Sequence, residues 1–457
     1  MDVSKGAGVF LLAGVVGMLS AGMIQAQNPA SRTDSTETLL PKDIYPDSRY
    51  RLPLPKRDDM DDDGKKIFDQ MTRKSELAVG IEQPGVILWD PQIAKPLEAL
   101  SQYRKYEIGL PDRLLEIAVL VTAREMDCQY EWTQWETHGR DPKDPRHIEQ
   151  STIDIIKYEK PVVGLGEKET AIIAFGRELF GQRKVSSGTF AEVLRLFGRK
   201  GTVDLLALMV GYSAAAAELT AFGQQLQVGQ EPLLPPRVHA QSPVRRADSA
   251  EAPLPKDIYP DSRNRLPMPK REDMDDDGKK IFDEVTRVPT DFLPLGTPRP
   301  GVILWDPKLA KPMDEAYHCL QYETGLPDQL LEIAVLVTAY ELDNQYGWTQ
   351  WEGFGRNPSD PRHIEQSTID IVKYNKPTAG LGEKEAAIIT LGRELFGQRK
   401  VSSETFAEVL RLFGRKGTVD LVEVMVNYSA AAAQLTAFDQ QLEEGQKPLL
   451  PPRRKQG

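Results

Sequence analysis

Glu116, Cys128, Glu131 and His138 are the residues of this chain whose types and spacing could do chemistry. They lie in one stretch, Leu110 to Arg140, reading LPDRLLEIAVLVTAREMDCQYEWTQWETHGR. A thiol attacks only as its thiolate, and a first-turn position on a helix favours that form through free N–H groups and the helix dipole. With Asp127 capping a second helix, Cys128 takes such a position, while Asp127, Glu125 and Glu131 oppose the effect as anionic neighbours. Glu116 sits amid Leu114, Leu115, Ile117 and Val119, so it either faces water or has its pKa raised by burial, as a general acid or base near neutral pH requires. His138 falls at i+7 from Glu131, on the same helical face but a turn further along. Each also has a plainer reading: an inert buried thiol, a solvent-facing glutamate, an exposed histidine before Gly139.

The stretch occurs twice. Leu326 to Arg356 reads LPDQLLEIAVLVTAYELDNQYGWTQWEGFGR, with Asn344 for the cysteine, Gly347 for Glu131 and Phe354 for His138. Glu332 keeps the place of Glu116. Without a thiol or a histidine, the second copy cannot run thiol chemistry; it reads as a structural partner. Trp132, Trp348, Tyr130 and Tyr346 persist in both copies, which fits packing.

The duplication extends well beyond this line. LPKDIYPDSR at Leu40 recurs at Leu254, an offset of 214, and from Trp89 and Trp305 onward the offset is 216. Repeat one is therefore taken as 40–231 and repeat two as 254–450, each far longer than a solenoid unit of roughly 20–50 residues. Residues 232–253, PLLPPRVHAQSPVRRADSAEAP, read as a linker with little to bury. The two-residue gain falls where KSELAVGIEQPG and VPTDFLPLGTPRPG diverge, a tolerant loop.

Helical periodicity dominates each repeat. Ile117, Leu120, Val121 and Arg124 follow it, with Pro111 and Asp112 in a first turn. Asp144–Pro145 reads as the start of another helix. Glu167–Phe180, Thr189–Phe197 with Ser187 as cap, and Thr202–Leu226 with its alanine tract complete the set. The expected fold is all-α, the two repeats packing as a pseudo-symmetric pair.

Residues 1–26 carry Lys5, an apolar run from Val9 to Leu19 and small residues up to Ala26, the layout of a cleaved signal peptide. The run is too short to cross a bilayer comfortably, so a secreted or periplasmic protein beginning near Gln27 is expected. A formal net charge of −11 argues against nucleic acid as a partner. The two cysteines, Cys128 and Cys319, stand at non-equivalent places in the repeats, so no disulfide framework is implied.

On the line CQYEWTQWE, the later GEKETAIIAFGRELF and the alanine-rich last helix, the chain resembles the carboxymuconolactone decarboxylase family, which includes the alkylhydroperoxidase D-like proteins. The resemblance spans Asp58 to Leu226 and Asp273 to Leu442. Many relatives carry a glutamate, eleven residues, a cysteine or small residue, two residues, a cysteine or glutamate, three residues and a histidine. Glu116, Cys128 and Glu131 match the first three positions; Trp135 and Trp351 stand where histidine is expected, leaving His138 as the substitute proton carrier. The resemblance implies a thiol-dependent peroxidase acting through Cys128, with a peroxide as substrate, an external thiol as reductant and association into a homo-oligomer. The alternatives are a decarboxylase or isomerase of a small lactone or keto acid using Glu116, and a protein that binds without catalysis.

No metal or cofactor is expected. Asp273, Asp275, Asp277, Gly278 and Glu284 fit a calcium-loop pattern, but LPMPKRED before them is proline-broken and an acidic helix N-terminus explains them. His147 and His363 have no second ligand at metal spacing. Asn427–Tyr428–Ser429 fits a glycosylation acceptor inside an expected packed helix.

Overall fold

The computed structural model describes residues 40–74, 85–237, 254–286 and 301–451. The expected signal peptide and the part of the linker from 238 to 253 lie outside the described residues. Among those described there are fourteen α-helices and, beyond an isolated bridge between Tyr259 and Asn264, no extended pairing. Repeat one contributes α1 (Asp62–Lys74), α2 (Pro91–Tyr106), α3 (Asp112–Met126), α4 (Gln129–Arg140), α5 (Gln150–Lys157), α6 (Glu167–Gly176) and α7 (Ser187–Ala221). Repeat two contributes α8 (Asp276–Val285), α9 (Pro307–Tyr322), α10 (Asp328–Glu341), α11 (Gln345–Arg356), α12 (Gln366–Lys373), α13 (Glu383–Gly392) and α14 (Ser403–Phe438).

At the centre of repeat one lies α3, enclosed on every side: Ile117, Ala118, Val119, Leu120, Val121 and Ala123 are all fully buried. A helix this apolar all round has no stable place except inside a bundle, and α4, α5, α6 and α7 supply it. It ends at Asp127, whose left-handed backbone (φ 58°) lets the Cys128 N–H donate to the Ala123 carbonyl at 3.0 Å. Asp127 is therefore the stop of α3, and Cys128 itself is the N-cap of α4. Three other expected boundaries shift in a similar way. Glu149 rather than Asp144 precedes α5, because the Asp144 carboxylate is occupied by the Arg146 N–H and guanidinium. Ser186 caps α7 by accepting from the Thr189 N–H. That helix ends at Ala221 and consists of two helical stretches, as expected, joined across a kink at Gly198, whose φ of 68° suits glycine alone. α7 is long and apolar enough to cross a membrane, yet most of its apolar window is buried inside the protein.

The two repeats pack about a pseudo-two-fold axis, and the contacts are reciprocal, as an isologous interface demands. α7 lies against α14 and α2 against α9. Lys200 bridges to Asp306 of repeat two at 2.8 Å, and its equivalent Lys416 bridges to Asp90. Arg51 donates to the Val401 carbonyl at 2.9 Å while Arg265 donates to that of Val185 at 2.9 Å. Phe222 meets Phe406 and Phe438 meets Phe190, edge to face. The N-terminal segments are exchanged: Leu52, Val86, Ile87 and Ile93 join the apolar cluster of repeat two, and Leu266, Val302, Ile303 and Leu309 join that of repeat one. From Leu40 onward the chain is thus one compact unit. The start of the linker is built in as well, with Leu234 buried, the Pro235 carbonyl accepting from Arg124 at 2.8 Å, and Arg237 paired with Glu125 at 2.6 Å. The acidic calcium-like stretch serves the helix: Asp275 accepts from the Gly278 N–H at 2.7 Å to cap α8, and Glu284 pairs with Lys311.

Candidate functional site

The structure divides the four candidate residues between two places. Cys128 and Glu131 are together at the start of α4, both buried. The backbone N–H groups of Tyr130 and Glu131 face the Cys128 sulfur and favour its thiolate, but burial, and after it the Glu131 carboxyl, push the thiol far up. Glu131 is itself driven well above the carboxylate range by burial, and its Oε2 has no hydrogen-bond partner. Both groups are thus held protonated at neutral pH, and the helix terminus loses to desolvation. Cys319 is also free and buried, its Sγ near the Gln92 carbonyl and Glu323, with the thiol pushed up to about 12 by burial and then by Glu323. Neither cysteine in the native protein should therefore react with Ellman's reagent at pH 8 on a timescale of minutes, whereas both should react after denaturation. Fast native labelling of one thiol would contradict this burial.

Glu116 lies in the interior, fully shielded from solvent, with both carboxyl oxygens lacking a partner. Burial raises it to about 8, against the opposing pull of Arg146. It is crowded against α4 where Gly139 leaves room: a Cβ there would come within 2.9 Å of Glu116 Oε1. His138 does not approach the thiol. Its Nδ1 faces Asp144 Oδ2 at 3.1 Å near the surface, and Asp144 is held down to about 2, chiefly by its hydrogen bonds from Arg146. His147 and His363 each point Nδ1 at the carbonyl that ends the preceding helix, Gly139 and Gly355, at 2.9 Å.

What joins the two places is Tyr212 on α7. Its hydroxyl is raised by burial and feels Glu131, Arg146, Glu116 and Arg104. Trp135, standing where histidine was expected, packs edge-on against the Tyr212 ring at 5.2 Å and carries the Arg146 guanidinium on its face at 5.2 Å. Residue type and spacing give no reason to choose Tyr212, Arg146 or Arg104, although Arg146 stands in DPRHIEQST, which recurs unchanged in repeat two.

Repeat two shows what the same backbone does without the thiol and Glu131, while keeping the Arg362, Trp351 and Tyr428 stack. Asn344 caps α11 by accepting from the Gly347 N–H at 2.5 Å, and its amide donates to the Ala432 carbonyl at 3.1 Å. A Cβ at position 347 would fall 2.6 Å from the Asn344 oxygen, so the asparagine and the glycine belong together. Beside them is a cavity of about 20 Å³ lined by Tyr317, Asn344, Gly347, Trp351 and Tyr428 among others. The equivalent positions of repeat one include Cys128, Glu131, Trp135 and Tyr212. Glu332 retains the place of Glu116, buried and with both oxygens unpartnered. Repeat two has thus exchanged the thiol and Glu131 for a neutral cap.

Among the described residues, no group of three or more His, Cys, Asp or Glu side chains is placed to hold a metal ion. Comparison with protein-family models, with curated proteins and with solved structures found no match to this chain.

Proposed function

We propose that the chain is an exported enzyme of the carboxymuconolactone decarboxylase type that moves a proton on a small lactone or keto acid, with Glu116 of repeat one as general acid and base. The observation that carries this reading is the Glu116 carboxyl: enclosed, without a hydrogen-bond partner, and poised near pH 8. A carboxyl so placed can take a proton from carbon beside a carbonyl, or return one after carbon dioxide leaves, because its basicity is close to the working pH. Glu131 and the Tyr212 hydroxyl, both held protonated, are available as hydrogen-bond donors to a developing enolate oxygen. The thiol-peroxidase reading requires a thiolate at Cys128, which burial and Glu131 oppose. A non-catalytic reading draws on Glu332, whose oxygens are likewise unpartnered in a repeat that lacks the thiol and the counterpart of Glu131.

Purified protein assayed against small lactones and keto acids, and separately against peroxide with an added thiol, decides among these. Glu116→Gln should lower kcat/KM on the organic acid by at least about 10²-fold, and Glu332→Gln should not. If peroxide is consumed and Cys128→Ser alone abolishes it, the thiol chemistry is correct and the acid–base reading falls. If neither class of substrate turns over in the folded protein, the chain is not this kind of enzyme.

A further inference from the structure

Arg104 on α2 is a half-buried charged side chain with no acid to balance it. Among the described residues it pairs with no carboxylate, and its Nε–H is shut off from solvent without an acceptor. Its guanidinium lies against α7 at Gly211, so closely that a Cβ on that glycine would come within 2.7 Å of Nη1 and 2.8 Å of Cζ. The adjacent Tyr212 feels the charge. Desolvation without a compensating anion lowers the arginine to about 10.

Holding an arginine half-buried, with its Nε–H enclosed and no anion beside it, carries a desolvation cost that no partner in the protein offsets. The fold does not require it here, because repeat two supplies its own control. The position of Arg104 is Leu320 there, and that of Gly211 is Asn427; Leu320 joins the apolar core of repeat two. Repeat one therefore carries a matched pair, an arginine and the glycine that admits it, beside the tyrosine that also faces Glu116 and Glu131. That pairing makes sense when a ligand brings the missing negative charge.

We propose that Arg104 is the anion-holding residue of the repeat-one site and that its ligand is a small monocarboxylate, bound through the guanidinium with Tyr212 beside it. The inference deepens the acid–base reading and rests on it for the reaction this anion would undergo. A planar carboxylate matches the guanidinium fork. A phosphate dianion would be desolvated against a single unpaired cation, since Arg146 is already committed to Asp144 at 2.9 Å. The carboxylate group held by Arg104 would set the rest of a lactone or keto acid toward the Tyr212 hydroxyl and the carboxyls around it.

The test needs no turnover. Sodium acetate titrated at pH 7 and constant ionic strength should raise the melting temperature of the wild type saturably and broaden the acetate methyl NMR signal, while inorganic phosphate should do neither. The double variant Arg104→Leu/Gly211→Asn installs the pair that repeat two already folds with, and should weaken acetate binding by at least about tenfold. Arg104→Lys, which keeps charge but loses the fork, should fall between. Glu116→Gln should still bind acetate. Equal acetate response in wild type and double variant, or no response in either, overturns the proposal; phosphate binding through Arg104 as tightly as acetate overturns the monocarboxylate assignment. If acetate binds through Arg104 but no lactone or keto acid turns over, the anion site stands and the acid–base function fails. If turnover persists in the double variant with KM unchanged, the anion site fails and the function stands.

Discussion

Acidifying the protein from pH 8.5 to 5.5 should make it more stable, raising the melting temperature by on the order of 5–10 °C. The sign follows from buried carboxyls whose folded pKa lies above the unfolded value. Glu116 rises from 4.5 to about 8 by burial, and Asp420 from 3.8 to about 7 by burial, although Lys416 at 2.7 Å pulls it down. Glu131 and Glu332 are raised by burial, as are Glu218 and Glu423, which face each other across the repeat interface. Asp204 is raised by burial and by sharing a proton with Asp306. Such a group contributes its stability in full below the unfolded pKa and loses it as pH climbs through the folded one. For Glu116 the loss accrues between about pH 4.5 and 8, and for Asp420 between about 3.8 and 7. Each is worth on the order of a few kcal/mol. Groups of the opposite kind set the lower limit: Asp144, held at about 2 by Arg146, and Asp360, held down by Arg362, lose their contribution only as pH falls below the ordinary aspartate value. Maximum stability is therefore expected near pH 4, where the raised carboxyls are still protonated in both states and the depressed ones have not yet been lost. Calorimetric melting across pH 4 to 9 checks this, and a midpoint that climbs steadily toward pH 8.5 would show that these carboxyls are ionised in the fold.

Replacing Glu136 by alanine should cost about 3–5 kcal/mol, because it leaves a buried lysine without its charge partner. Glu136 is fully buried and collects three donors: Lys157 Nζ at 2.7 Å, Arg140 at 2.5 Å and the Trp132 indole N–H at 2.5 Å. Lys157 is itself almost wholly enclosed and lies over the Trp132 ring. The same knot recurs as Glu352 with Lys373 at 2.8 Å, Arg356 at 2.6 Å and Trp348 at 2.5 Å. The double variant Glu136→Ala/Glu352→Ala should fail to fold, since losses of that size in each repeat together match the whole stability of an ordinary protein. Denaturant melts of the single variants measure the effect, with Glu192→Ala as a control: its exposed pair with Arg195 should leave the midpoint where it was. A midpoint for Glu136→Ala equal to that of the control would mean the lysine finds water and the knot holds nothing together.

The knot is legible in the sequence. WTQWE stands unchanged in both repeats, and so does the lysine that follows in each. Identity between two copies that differ at 128, 131 and 138 separates what the fold needs from what one copy alone uses.

Local pattern determined much. The all-α class, the two repeats and the line of helices from α3 to α7 follow from apolar spacing and from proline and glycine punctuation, which act within a few residues. The isolation of Glu116 was open from sequence alone, because a glutamate in an apolar run either turns to water or is trapped, and helical spacing does not say which. Only packing on every side of α3 decided for burial. Cys128 illustrates the converse. Its place at a helix start was readable and pointed toward a thiolate, while the enclosure and the Glu131 carboxyl that reverse that tendency come from tertiary structure. His138 was drawn toward the thiol by spacing along one helix; Asp144, beyond that helix, holds it elsewhere. The exchange of N-terminal segments and the meeting of Arg104, Gly211 and Tyr212 join residues far apart in the chain, and no short-range pattern encodes such contacts. Desolvation is the common physical reason: it depends on what surrounds a group from all directions, whereas the sequence specifies its neighbours along one.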